Sequence, residues 1–311
     1  MDECIIETLS YSDIFDYPLS FSEIKKYLCC EIELSDDELL ELIQSIPIIQ
    51  ESNGYFYFLG RSAISEKRMD RKSISIQKFA KAKVVSKLLS YIPTIEYIGV
   101  SGSLSMDNAS LSDDIDFFFI TKNNTLWLTR LLVNGFLHIT RQKRSRNLQD
   151  IKDKICPNMF LEIGKLSFSE KRKTLYTAHE IVQLKTLYDK NDIYSQLLTK
   201  NKWIRVFFPN IQLQAVPKRK LEKAPSIFNK ILIPFEKIAF SLQKFYMKKR
   251  RSIETITRGR ALFHPVDRQK IILEMFILRS KRYKQLHIDN IWVDREEARF
   301  YMEDKKIRIL N

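Results

Sequence analysis

Apolar residues recur at three- and four-residue spacing along much of this chain, and three short runs where they are nearly continuous interrupt that pattern. An amphipathic segment around Ile5, Leu9 and Ile14 opens it. Two capping boxes follow, Ser20-Phe-Ser-Glu23 and Ser35-Asp-Asp-Glu38, which predict helices of about one to two turns and about three turns. Ile48 to Glu51 and Tyr55 to Leu59 flank Ser52-Asn-Gly54, and Asn-Gly suits a tight hairpin. Ile76, Phe79, Ala82, Val85, Leu88 and Leu89 mark a helix that Pro93 ends. Strands are then expected at Glu96–Ser101, Asp114–Thr121 and Ile155–Ile163, with a helix from Thr125 to Thr140 between the last two.

Further along, Lys173 to Leu187 reads as a helix, and Trp203 falls on a second one. Prolines 209, 217 and 225 mark an irregular linker. Ile227, Ile231, Phe235, Ile238, Leu242, Phe245 and Tyr246 form an apolar stripe on a helix with a kink site at Pro234, a stripe expected to pack on the central domain. Phe263-His-Pro-Val-Asp-Arg268 opens another helix, and the tail around Trp292 is expected as a surface-packed extension. The order predicts an α+β chain in three parts. These are a winged-helix-like module at 1–62, a small mixed sheet covered by helices at 63–190, and a helical C-terminal region at 191–311.

At 36.9 kDa and 44% hydrophobic residues the chain can bury a substantial core. Its apolar runs fall short of the roughly 18–20 residues a membrane span needs, and its N-terminus lacks a basic segment before an apolar one; a cytoplasmic protein is expected. Cysteines at 4, 29, 30 and 156 have neither zinc-ligand nor disulfide-framework spacing. Charge is more informative. Residues 1–60 hold thirteen acids against Lys25 and Lys26, so of the net +14 the remainder carries +25. The hairpin module has a DNA-binding shape, but a net charge of −11 would be repelled by phosphates, which points to protein interaction or packing. The basic remainder should attract a polyanion: a nucleoside triphosphate, nucleic acid, an anionic lipid surface or a phosphorylated glycan precursor.

The densest chemistry lies in Tyr97-Ile-Gly-Val-Ser-Gly-Ser-Leu104 and the Asp113-Asp-Ile-Asp-Phe117 that follows. With only seven glycines in 311 residues, Gly99 and Gly102 stand at the end of an apolar run, where backbone must approach something closely. A strand turning into a helix at Gly-Ser leaves N–H groups for a phosphate, with the Ser103 hydroxyl as a further donor. Alternation puts Asp114 and Asp116 on one face, as hard oxygen ligands for Mg²⁺.

Gly102-Ser103 followed by Asp114-x-Asp116 between hydrophobic strands resembles the signature of the DNA polymerase beta-type nucleotidyltransferase superfamily. The resemblance implies transfer of a nucleoside monophosphate from a nucleoside triphosphate to an acceptor hydroxyl, with two Mg²⁺ or Mn²⁺ ions. It implies that Gly102 and Ser103 hold the triphosphate and that Asp114 and Asp116 hold the metals. A third carboxylate on a later strand belongs to the active members. Glu162 is the candidate, sharing an expected face with Cys156, Asn158 and Phe160, while Asn158 is the alternative occupant, which would put catalysis in doubt.

Ser105-Met-Asp-Asn108 replaces the basic or glycine residue many members carry there. Arg130, on the helix after the Asp strand, is placed to reach a triphosphate, though an exposed helix face explains it equally. The basic loop Arg141–Lys154 either steers substrate or is simply solvated. His179-Glu180 begins like a zinc-protease helix, but Gln183 stands where the second ligand belongs, so His179 is expected to be structural. Two rival functions remain open: a catalytically silent nucleotide-binding or scaffold protein whose acidic module recruits a partner, and a nucleic-acid binder acting through the basic C-terminal part.

Overall fold

The computed structural model describes residues 1–144, 151–211, 227–248, 255–262 and 266–288. The mid-part of the basic loop, Pro217 and Pro225 of the linker, Lys249–Arg251, Phe263–Pro265 and the Trp292 tail lie outside them. The chain is α+β, and it divides into two units.

The first unit comprises residues 1–70, 205–211 and, from Ile271, the end of the last described helix. Helices α1 (Asp2–Asp13), α2 (Phe21–Tyr27) and α3 (Asp36–Ser45) accompany a three-stranded antiparallel sheet of β1 (Leu19–Ser20), β2 (Ile49–Ser52) and β3 (Tyr55–Phe58), in the order β1-β3-β2. Both capping boxes form as their sequences require. Ser20 accepts from the Glu23 N–H while Glu23 accepts from Ser20, and Ser35 with Glu38 repeats the exchange. Asn53 and Gly54 both take positive φ, 55° and 74°, so Ser52 faces Tyr55 across a two-residue turn. Ile5, Ile6, Leu19, Ile24, Leu39, Ile43 and Phe58 form the buried centre, and Tyr283 stacks on Phe58 at 3.5 Å.

Among the described residues, five of the thirteen acids of residues 1–60 pair with lysines or arginines from beyond residue 60. Arg61 and Arg279 pair with Asp13, Arg61 and Lys67 with Asp16, Arg68 with Glu23, and Lys284 with Glu3 and Glu7. Against the upward push of burial, Lys67 and Arg61 hold Asp16 down at about 2.

Among the described residues the second unit comprises 71–144, 151–204, 227–248, 255–262 and 266–270, so the stretch expected as a helical C-terminal region falls partly in each unit. Helix α4 (Ala63–Leu89) enters it at Arg71. Then come β4 (Ile95–Val100), the one-turn α5 (Gly102–Ser105), β5 (Ile115–Thr121), α6 (Leu126–Ile139), β6 (Ile155–Glu162), α7 (Leu175–Val182), β7 (Lys185–Asp189), α8 (Ile193–Lys200), α9 (Ile227–Lys248), β8 (Thr255–Thr257) and β9 (Arg260–Leu262); α10 spans Val266–Ile288. The sheet order is β7-β4-β5-β6-β9-β8, with only β5 and β6 parallel.

Two expectations change here. The predicted Lys173–Leu187 helix stops at Val182, and Lys185–Asp189 extends instead as the edge strand β7; Trp203 lies in a 3₁₀ turn at Lys202–Val206 rather than an α-helix. His179 Nδ1 pairs with the Gln183 amide at 2.9 Å, the structural role expected of it.

On one face of the sheet Ile98, Val100, Ile115, Phe117 and Phe119 pack with Val85 and Leu89 of α4, Trp127 and Val133 of α6, and Ala239 and Met247 of α9. On the other, Tyr97 meets Phe118 edge-on and stacks with Tyr194 of α8. Gly99 is required there because the Tyr97 ring occupies the space a Cβ would need.

Candidate functional site

β4 and β5 run antiparallel, so the end of β4 and the start of β5 lie side by side, and the Ser101 N–H donates to the Asp116 carbonyl at 2.9 Å. The chain then turns into α5 through Gly102 at φ +66°. A Cβ at Gly102 would stand 2.9 Å from Asp116 Oδ2, so any other residue would both strain the backbone at this positive φ and push the carboxylate aside. The Ser101 hydroxyl, at the N-terminus of α5, is buried without a hydrogen-bond partner among the described residues.

Ser103 does something other than expected. Its hydroxyl donates to Asp113 Oδ2 at 2.8 Å, and Asp113 also accepts from the Ser110 N–H and hydroxyl at 3.0 and 2.6 Å. Burial pushes Asp113 up, but these hydrogen bonds and Lys78 outweigh it and hold the group below its ordinary value. Asp113 therefore ties the loop between α5 and β5 together, and Ser103 is spent on that tie. Asp107 of the same loop pairs with Lys185 of β7 at 2.6 Å, and Asn108 accepts from Arg71 of α4 at 3.0 Å. Basic residues absent from the local sequence thus reach this loop from distant elements.

Asp114, Asp116 and Cys156 converge, with one potential ligand atom of each within 4.8 Å of the others. Cys156 enters because β6 runs parallel to β5 and places it opposite Asp116. Burial, then Asp116 and Asp114, push its thiol well above the usual range. Arg144 closes the group: its Nη1 lies 3.0 Å from Asp114 Oδ2 and 3.7 Å from Cys156 Sγ. It is carried there by backbone bonds from Ile155 N to Gln142 O and from Arg144 N to Ile155 O, at 2.7 and 2.9 Å. The approach to Asp114 is an ion pair of poor hydrogen-bond alignment, since that oxygen is buried yet lacks a well-directed donor. Tyr176 of α7 lies near enough that Asp116, after burial and Glu180, helps raise its hydroxyl.

Glu162 and Arg130 are not brought to this group. Pro157 has no N–H to give the β5 ladder, and the register slips beside it, from Phe117–Pro157 to Phe118–Met159, leaving Asn158 as the extra residue. Alternation is broken, so Phe160 stacks on Phe119 at 4.6 Å on the core face, and Glu162 follows it there instead of sharing the face of Cys156. Glu162 meets the backbone at the start of α6, where burial and Glu236 push it up to about 7. Glu236 of α9 accepts from the Trp127 and Leu128 N–H groups at 2.9 and 2.7 Å, capping α6 from another helix. Arg130 lies on this same α6 side, bonded to Gln243 and 5.8 Å from the Trp127 ring.

Two carboxylates side by side fit a divalent cation that keeps waters and takes phosphate oxygens, and the buried, poorly satisfied Asp114 Oδ2 is consistent with such a role. Cys156 adds a soft sulfur to this group where a hard cation prefers oxygen. The chain matches no family model, no curated protein and no solved structure.

Proposed function

We propose that this chain is a metal-dependent nucleotidyltransferase acting on a nucleoside triphosphate and a hydroxyl acceptor. The observation that carries the reading is the approach of the Gly102 turn to Asp116, with Asp114 beside it. Such a turn offers backbone N–H groups to a phosphate, and the carboxylates would hold Mg²⁺ or Mn²⁺, whose charge offsets that of the triphosphate during in-line attack at the α-phosphorus. The residues divide the remaining work. Gly102 leaves room for the phosphate, the Ser101 hydroxyl offers a donor there, and Arg144 adds a positive charge beside Asp114.

A second reading has its own support. With Cys156 opposite Asp116, the chain binds nucleotide and turns over slowly or not at all, since a soft sulfur stands where a further hard oxygen ligand for Mg²⁺ would serve. The first unit, whose element order suits a winged-helix module, then serves protein interaction. Incubating the chain with each labelled triphosphate and Mg²⁺ or Mn²⁺ in a lysate separates the two. Label or mass on an acceptor, lost in Asp116→Asn, supports transfer; nucleotide binding without pyrophosphate release supports the silent reading.

A further inference from the structure

Helix α9 has three sides rather than two. Glu236, Ala239, Gln243 and Met247 recur at three- and four-residue spacing and are buried; Gln243 donates to the Trp127 carbonyl at 2.7 Å, so this side faces α6. The apolar stripe expected to make that contact does not make it. Ile231, Phe235, Ile238, Leu242, Phe245 and Tyr246 are 56–79% exposed, a continuous apolar edge roughly 22 Å long at 1.5 Å per residue. Lys237 and Lys244, seven residues apart, are exposed along the adjoining flank.

The sequence of this helix and the residues just after it is strongly basic. From Lys230 to Arg251 the sequence has seven basic residues and a single acid. That acid is Glu236, which is turned toward the start of α6. An apolar edge bordered by lysines, with no acid on its exposed sides, complements a surface that is oily below and anionic above. Among the described residues no helix is long and apolar enough to cross a membrane, so the geometry is that of a helix lying in the interface plane.

We propose that the exposed edge of α9 docks this chain on an anionic lipid bilayer, with Phe235, Leu242 and Phe245 entering the acyl boundary and the lysines at headgroup level. The proposal is independent of the chemistry at Asp114 and Asp116. The test is flotation of the full chain with phosphatidylcholine vesicles, with and without about one-third phosphatidylglycerol, alongside sedimentation equilibrium without lipid. Binding is expected only to the anionic vesicles and should weaken with salt. Each basic residue near such a surface contributes about fivefold, so Lys237→Gln with Lys244→Gln should lower partitioning about thirtyfold. Leu242→Asp with Phe245→Asp should abolish it at unchanged melting temperature, since both side chains are already exposed. Failure of the natural chain to float, or undiminished flotation of the aspartate pair, overturns the proposal. So does a lipid-free dimer that the aspartate pair dissociates while the natural chain ignores vesicles, because the edge would then be a protein interface.

Discussion

Gly102→Ala separates what the turn does for the fold from what it does for the site. Two costs are expected. Alanine at φ +66° costs about 1–2 kcal/mol in backbone conformation, and its Cβ, 2.9 Å from Asp116 Oδ2, must displace that carboxylate by several tenths of an ångström. For a unit of this size, about 1–2 kcal/mol lowers the melting temperature by roughly 2–8 °C. The displacement matters more for chemistry, where a misplacement approaching 1 Å can cost about a hundredfold. A denaturant-unfolding cycle with Gly102→Ala, Asp116→Ala and the double variant isolates the steric part. Asp116→Ala removes the clash but not the strained φ, so the double variant should be more stable than the sum of the single losses, by about 0.5–1 kcal/mol. Additive losses, together with unchanged metal–triphosphate affinity in Gly102→Ala, would refute the view that this glycine exists to bring the turn against the carboxylate.

Three further outcomes follow from the same contacts. Glu162 is pushed up to about 7 from 4.5, so the fold favours its protonated form; its own contribution to stability should be full below about pH 4.5 and be lost as pH rises through about 7, by about 1–3 kcal/mol, and urea unfolding should show a shallower slope between those pH values in Glu162→Gln, with Glu180 still contributing. Arg144→Gln removes the half-exposed partner of Asp114 and should tighten Mn²⁺ binding about two- to fivefold by calorimetry in the absence of nucleotide; weaker binding would mean that Arg144 supports the metal site instead of competing for it. Cys156→Asp introduces a third carboxylate opposite Asp116 and, on the proposed function, should raise Mg²⁺-dependent pyrophosphate release at least tenfold, whereas loss of nucleotide binding would place Cys156 among residues needed as a thiol.

Much of the local structure was legible in the sequence because its causes are local. Ser20 with Glu23, Ser35 with Glu38 and Asn53-Gly54 carry their own hydrogen-bonding or φ requirements, and the structure honours each. The three apolar runs became β4, β5 and β6 within a residue or so. What escaped depends on neighbours distant in sequence. Lys185–Asp189 continues a helical pattern, yet it is a strand because β4 offers a free edge to pair with. Glu162 was expected on the face of Cys156 by strict alternation, and the warning was Pro157, a residue that cannot serve a ladder on both sides and brings a bulge with it. Cys156 itself was read only as sharing a face with Glu162, because its place beside Asp114 and Asp116 depends on the register between β5 and β6. Arg144 lay in a loop whose charge was noted but whose landing point was not encoded locally. The α9 stripe shows that periodicity identifies an apolar face without saying what covers it: a less apolar side, with Glu236 and Gln243 satisfying α6 backbone groups, makes the contact instead.

The most direct test of the central claim is an equilibrium titration of the purified chain with a non-hydrolysable triphosphate, with and without Mg²⁺ or Mn²⁺, for the natural protein and for Asp114→Asn and Asp116→Asn. The account predicts triphosphate binding that requires the cation and is lost in both variants while their melting temperatures stay within a few degrees of the natural chain. Cation-independent binding of equal affinity in all three proteins would contradict it.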